Sequence, residues 1–275
     1  MRIPFTKAHG ARNDFLLTWA SQAPREDLPA VARAICDRHS GVGSDGWLLV
    51  KAAGAEWPGW DGSIRLFNAD GSEAEISGNG TRCAAAFLID AGLGRQEVCI
   101  LTGAGLKQLR LIAQHELKFV FEMNMGRPVC REDQARVTLE LAGGPREVTV
   151  LDVGNPQCAL FVEEFPAGWQ ALAAEIEAHP FFPRRTNVSL VRVVDRHTLE
   201  VRFFERGVGE TMSSGTGSTG AAAAALLRGV AESPVNVLTP AGELALRWEG
   251  EEVYLRGPAE IVAGGEFYLI AGQSP

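Results

Sequence analysis

Residues 76–86 read ISGNGTRCAAA and residues 213–223 read SSGTGSTGAAA. Each has a Ser, a Gly, a polar residue and a second Gly, then small apolar residues. A Gly-rich turn opening an Ala-rich helix is a demanding local structure, and finding it twice suggests a duplicated fold. The surroundings repeat as well. Runs of β-branched and aromatic residues bounded by Gly, Pro and Asp predict strands at 14–19, 46–51, 62–68, 97–102, 105–113, 116–123, 136–142, 146–153, 157–163, 187–194, 197–205, 235–239, 243–248, 252–256 and 266–271. Helices are predicted at 27–39, 80–91, 169–178 and 217–229. The second and fourth are apolar nearly all round, as buried helices are. The expected fold class is α+β. It has two pseudo-symmetric domains, each a mostly antiparallel sheet or barrel around a central apolar helix. The expected domains are 1–117, completed by 264–275, and 118–263.

Composition narrows the function. The chain has 275 residues and a net charge of −8, with 46% hydrophobic and 22% charged residues. An acidic chain gains nothing by releasing counterions from a phosphate backbone, so nucleic acid is not an expected partner. No apolar run is long enough to span a bilayer, and the five cysteines are odd in number and irregular in spacing. A cytoplasmic protein without membrane partners is expected; a homodimer stays open. Cys36 and His39 lack a second pair of metal ligands, so no metal is expected. The G-x-G-x-x-G pattern occurs at 41–46 and 215–220, in neither case within a clear strand–helix–strand unit, so no dinucleotide is expected. Cys83 falls inside a predicted buried helix, where packing is its expected role. No G-x-S-x-G elbow surrounds Ser77 or Ser214, which argues against a hydrolase.

A Gly-rich turn entering a helix leaves backbone N–H groups aimed at one point, and the helix dipole adds positive charge there. Such an end holds a carboxylate or phosphate. Ser77 and Ser214 have two open readings. Each could cap its helix, or place a side chain at the mouth of an anion site. Two turns acting on one carboxylate would put a side chain on each face of the carbon beside it. That suits inversion of a stereocentre, which needs a base on one face and an acid on the other.

Several ordered motifs resemble one family. They are Phe5-Thr6-Lys7, His9-Gly10, Asn13-Asp14-Phe15, Asp37-Arg38-His39, Gly41-Val42-Gly43, Asp45-Gly46, Asn68-Ala69-Asp70-Gly71-Ser72, Gly154-Asn155-Pro156, Thr186-Asn187-Val188 and the run from Glu205 to Thr211. Together with the two turns they make the chain similar to diaminopimelate epimerases over nearly its full length. That family is a set of cofactor-independent amino-acid isomerases of lysine and peptidoglycan synthesis. The resemblance implies two pseudo-symmetric domains and no cofactor. It implies a diaminopimelate-like substrate held by Asn13, Asn68, Asn155, Asn187 and Arg206, with Glu205 on the ammonium. Gly78, Asn79, Gly215 and Thr216 would cradle the α-carboxylate.

The catalytic positions depart from the pattern. The family's acid and base are two cysteines, one heading each turn; here they are Ser77 and Ser214. The family's Gly-Asn-Pro-His also ends in Gln157. A hydroxyl is a far weaker acid than a thiol, and Gln is no base. The joint change at three positions fits natural divergence better than removal of two thiols by design. Glu205 is then the side chain best able to carry a proton. Beside epimerisation, two alternatives remain: one-base isomerase or dehydratase chemistry, and a catalytically silent amino-acid-binding protein.

Overall fold

The computed structural model describes residues 1–54 and 59–269. It divides into two compact units, Met1–Met123 with Gly257–Pro275, and Asn124–Arg256. The first contains β1 (Arg2–Gly10), β2 (Asn13–Trp19), α1 (Leu28–Cys36), β3 (Gly46–Ala52), β4 (Gly62–Asn68), β5 (Glu73–Ala74), α2 (Gly78–Asp90), β6 (Glu97–Thr102), β7 (Gly105–His115) and most of β8 (Lys118–Gly126). The second contains β9 (Val137–Leu141), β10 (Gly144–Asp152), β11 (Pro156–Phe161), α3 (Trp169–Glu177), β12 (Asn187–Asp195), β13 (Thr198–Glu205), β14 (Gly209–Thr211), α4 (Gly215–Leu227), β15 (Val235–Thr239) and β16 (Gly242–Glu249). The last strand, β17 (Glu252–Tyr268), starts in the second unit and ends in the first. The divisions therefore fall inside β8 and β17, between the expected boundaries at 117 and 263, with no linker at either.

Strand pairing repeats in each unit. In the first, β1 and β2 are antiparallel, β2 and β3 parallel across α1, β3 and β4 antiparallel, and β4 and β6 parallel across α2. β7 and β8 follow, β8 pairs β17, and β17 pairs β1, which closes the ring. In the second, β10 and β11 are antiparallel, β11 and β12 parallel across α3, β12 and β13 antiparallel, and β13 and β15 parallel across α4. β16 and β17 follow. The outer neighbour of β10 is β9; the same place beside β1 is taken by the end of β17.

The α2 helix packs on β1, β2, β3, β4 and β6, and α4 on β10 to β13, β15 and β16. A helix packed on so many strands at once must be thin. Ala84 to Ala86 and Ala221 to Ala225 satisfy this, at most 3% exposed. At Gly62 a Cβ would stand 2.9 Å from Leu88 Cδ1 of α2, so a side chain has no room there. The other two helices bury one face each. Val31, Ala32 and Ile35 of α1 join Trp47 and Phe67, and Ala173 and Ile176 of α3 join Val188 and Leu190. Burying each large apolar side chain contributes roughly 1.5–3 kcal/mol. Trp47 also donates its Nε1–H to Thr18 Oγ1 at 2.9 Å, which satisfies its polar edge.

Strand β1 has no counterpart in the predictions, because Pro4, Thr6, Lys7 and His9 break the apolar alternation. The predicted strands 252–256 and 266–271 belong to one strand, β17, as far as the described residues extend. Both central helices begin at the residue after Ser, two residues before the predicted 80 and 217.

Candidate active site

The two Ser-Gly turns have the same local structure. Ser77 lies at φ −131°, ψ 121° and Ser214 at φ −138°, ψ 123°, both extended, ahead of α2 and α4. Each Oγ accepts a hydrogen bond from the third helical amide, Gly80 N or Gly217 N, at 3.1 Å. The serines are therefore N-caps, as one of the two readings requires. The amides of Gly78, Asn79, Gly215 and Thr216 occupy the first helical positions, which have no intrahelical acceptor. Short strands aim the chain into each cap: β5 pairs β4 just before Ser77, and β14 pairs β13 just before Ser214.

In the first unit the motif residues lock together. The Nδ2 of Asn79 donates to Asn13 Oδ1 at 3.2 Å, and Asn13 Nδ2 donates to Asp45 Oδ2 at 2.7 Å. Arg38 Nη2 reaches Asp14 Oδ1 and Asp45 Oδ1, both at 2.7 Å. Lys7 Nζ stands 3.0 Å from Asp14 Oδ2 and donates to Gly43 O at 2.7 Å. Burial pushes the Asp14 carboxyl up, but Arg38 and Lys7 outweigh it and hold it below the usual carboxylate range. Asn68 bonds within its own turn, donating from Nδ2 to Ser72 Oγ at 3.0 Å.

In the second unit Gln157 begins the hydrogen-bonded chain. It is 2% exposed, and its Nε2 donates to Asn155 Oδ1 at 2.7 Å. Asn155 Nδ2 reaches Thr216 Oγ1 at 3.4 Å. A Cβ at Gly220 would stand 2.9 Å from Gln157 Cγ, so this helical glycine makes room for the amide chain. The Oε1 of Gln157 is buried and meets no donor among the described residues. Asn187 donates to Pro156 O at 2.9 Å and accepts from Arg206 N at 3.0 Å, tying β11 and β12 to the turn after β13. Glu205, at the end of β13, accepts from Thr211 Oγ1 at 2.7 Å. The Arg206 side chain is exposed and donates to Arg184 O at 3.3 Å.

The predicted residues thus form hydrogen-bonded sets within each unit: Asn13 with Asn79, Asn155 with Gln157 and Thr216, and Asn187 with Arg206. The roles of Lys7, Arg38, Asp45 and Thr211 had no individual signal beyond their place in motifs. For Arg82 the signal was a charge inside an otherwise small and apolar helix. All five cysteine thiols are held above their ordinary range. Burial pushes Cys36 up to about 11 and Cys83 up to about 12, and it raises Cys99, Cys130 and Cys158 as well. Among the described residues no group of three His, Cys, Asp or Glu is placed to hold a metal ion. No helix among them is long and apolar enough to cross a membrane.

A family model described as diaminopimelate epimerase matches residues 5–131 and 149–262. The chain belongs to the diaminopimelate epimerase family. Its relatives include the diaminopimelate epimerase of Pelotomaculum thermopropionicum, 39% identical over 96% of this chain and 98% of that one. The diaminopimelate epimerase of Azoarcus sp. (strain BH72) is 40% identical over 98% and 100%. Family membership places the chain among the isomerases. Among solved structures, a hydroxyproline epimerase from Agrobacterium vitis superposes with a TM-score of 0.73 at 14% identity, covering 96% of this chain and 90% of that one. A methylitaconate-delta-isomerase superposes at 0.65 and 16% identity, covering 97% and 95%. At such identities these two show a shared fold only. In this chain positions 77 and 214 carry hydroxyls and position 157 an amide.

Proposed function

We propose that this chain binds a diaminopimelate-like amino acid and moves the proton at its α-carbon without a cofactor, with Glu205 as the group that carries the proton. The observation that supports this reading is a retained binding set beside altered catalytic positions. Asn13, Asn79, Asn155, Asn187 and Arg206 sit in ordered hydrogen-bond networks. Both helix-heading side chains are hydroxyls that accept a backbone N–H.

In this proposal the N-terminal amides at Gly78, Asn79, Gly215 and Thr216 take the α-carboxylate. Arg206 and the asparagines take the far end of the substrate. The α-hydrogen leaves as a proton to the Glu205 carboxylate, and its electron pair moves into the substrate carboxylate, where the helix amides stabilise it. Return of a proton from Glu205, after exchange with water, places solvent hydrogen at Cα. The serine hydroxyls accept the capping amides; they ionise too weakly to supply an alkoxide as the second base. The reaction is therefore slower than a two-thiol epimerisation.

Incubation of the protein with meso-diaminopimelate in D2O, followed by mass spectrometry, tests this. Gain of one deuterium at an α-carbon is expected. Tight calorimetric binding with neither exchange nor LL/meso interconversion over a long incubation would replace the reading with a silent binding protein. That second reading is favoured by the serines being engaged as caps.

A further inference from the structure

The two central helices differ at several corresponding positions, and at one of them α2 buries a charge. Aligned on their capping serines, α2 has Arg82 where α4 has Thr219. Thr219 merely donates its hydroxyl back to Gly215 O at 2.9 Å. Arg82 is fully buried, with 0% of its surface exposed. Among the described residues its guanidinium meets only neutral oxygens: Nε donates to Pro258 O at 3.1 Å, Nη1 to Gly78 O at 3.3 Å, and Nη2 to Asn79 Oδ1. A buried cation is costly without an anion, so its retention calls for a reason. Burial pulls it down to about 10, which leaves it charged near neutral pH.

We infer that Arg82 is a positioning residue that sets the direction of the amide pair Asn79 and Asn13, by acting as the donor-only end of their hydrogen-bond chain. A guanidinium can only donate. Asn79 must therefore turn its Oδ1 to Arg82, which points its Nδ2 at Asn13 Oδ1, 3.2 Å away. Asn13 is then obliged to present Nδ2 to Asp45, 2.7 Å away, and an ionised carboxylate only accepts. A donor-only group at one end and an acceptor-only group at the other leave a single polarity for both amides. Flipping either would set like poles together. The remaining N–H and lone pair of each amide are thereby fixed toward whatever it meets. In addition, the cation lies against Gly78 O, in the first turn of α2, and adds to the positive helix end. That these amides meet the substrate rests on the proposed function; that Arg82 orients them does not.

The experiment pairs side-chain amide NMR with calorimetry of meso-diaminopimelate on wild type, Arg82→Met, Arg82→Lys, Asp45→Asn, Asn79→Ala and the Arg82→Met/Asn79→Ala double variant. In Arg82→Met the Asn79 side-chain amide signals are expected to shift and exchange faster. Binding should weaken by roughly tenfold or more, as for one charge-assisted bond. Arg82→Lys should recover part of both effects, because an ammonium still donates to Asn79 Oδ1. The double variant should bind no worse than Asn79→Ala alone. Asp45 is exposed, so Asp45→Asn tests the other end even if Arg82→Met does not fold; it should loosen the Asn13 amide and leave Asn79 held. Unchanged Asn79 signals in Arg82→Met, no recovery at all in Arg82→Lys, an Asn13 amide unmoved by Asp45→Asn, or additive losses in the double variant would overturn the inference. If the wild type fails to bind diaminopimelate, the functional reading falls, while the amide signals still test Arg82.

Discussion

The helix ends at Ser77 and Ser214 share a cap, a capping distance of 3.1 Å and nearly the same backbone angles. What surrounds them differs. The first unit places a buried cation and a charged lattice of Lys7, Asp14, Arg38 and Asp45 about its turn. The second places the amides of Gln157 and Asn155 about its turn, with Thr211 bonded to Glu205 and Asn187 to the Arg206 backbone in the same unit. Duplication accounts for the common backbone, and divergence has given each copy its own electrostatics. Charge organises the surroundings of the first turn, whereas amides organise those of the second.

Packing offers the strongest way to test how alike the copies are. Leu88→Ala in α2 should cost about 2–5 kcal/mol by leaving a cavity against Gly62. Ala222→Leu in α4 should cost about 1–3 kcal/mol by overfilling its sheet. Denaturant titrations that found one variant destabilised and the other as stable as wild type would show that the helices are not enclosed alike.

A smaller effect separates the copies by pH. The Asp14 carboxyl is held below its ordinary range in the folded chain, by Arg38 and Lys7 against burial. Its contribution is therefore full above the unfolded value of about 3.9 and is lost as pH falls through the folded one. The expected outcome is that stability drops on acidification in wild type and drops less in Asp14→Asn. Melting curves from pH 7 down to pH 2 check this, and parallel curves for the two proteins would remove the charged lattice from the account.

The smallest effect sharpens the likeness itself. Ser77→Ala and Ser214→Ala should each cost about 1 kcal/mol, and the glycine variants only a few tenths. Unequal losses measured by chemical denaturation would mean that one of the serines does more than cap.

Much of this arrangement was legible beforehand, for physical reasons. The strands from 46 to 68 and from 187 to 205 show apolar runs ended by turn residues, and they formed where expected. The central helices were legible from their small residues, but their starts were not. Gly78 and Gly215 look like turn residues, whereas the Ser hydroxyl ahead of each makes them the first helical residues. Strand β1 was hidden by Pro4, which sits across from Glu266 of β17, more than 250 positions along the chain. Its pairing partner could not be read locally. At the site, residue types within motifs marked Asn13, Asn155 and Asn187, but not their directions. Those depend on partners such as Asp45, Pro156 and Arg206, brought close by the fold. The burial of Arg82 likewise depends on Pro258, from the other end of the chain.

The most direct test of the account compares α-deuterium uptake into meso-diaminopimelate by wild type and by Glu205→Gln. Wild type should exchange slowly, and Glu205→Gln should lose at least about a hundredfold of that rate, as for removal of a general base, with binding reduced far less. Equal exchange by the two proteins would contradict the assignment of proton transfer to Glu205.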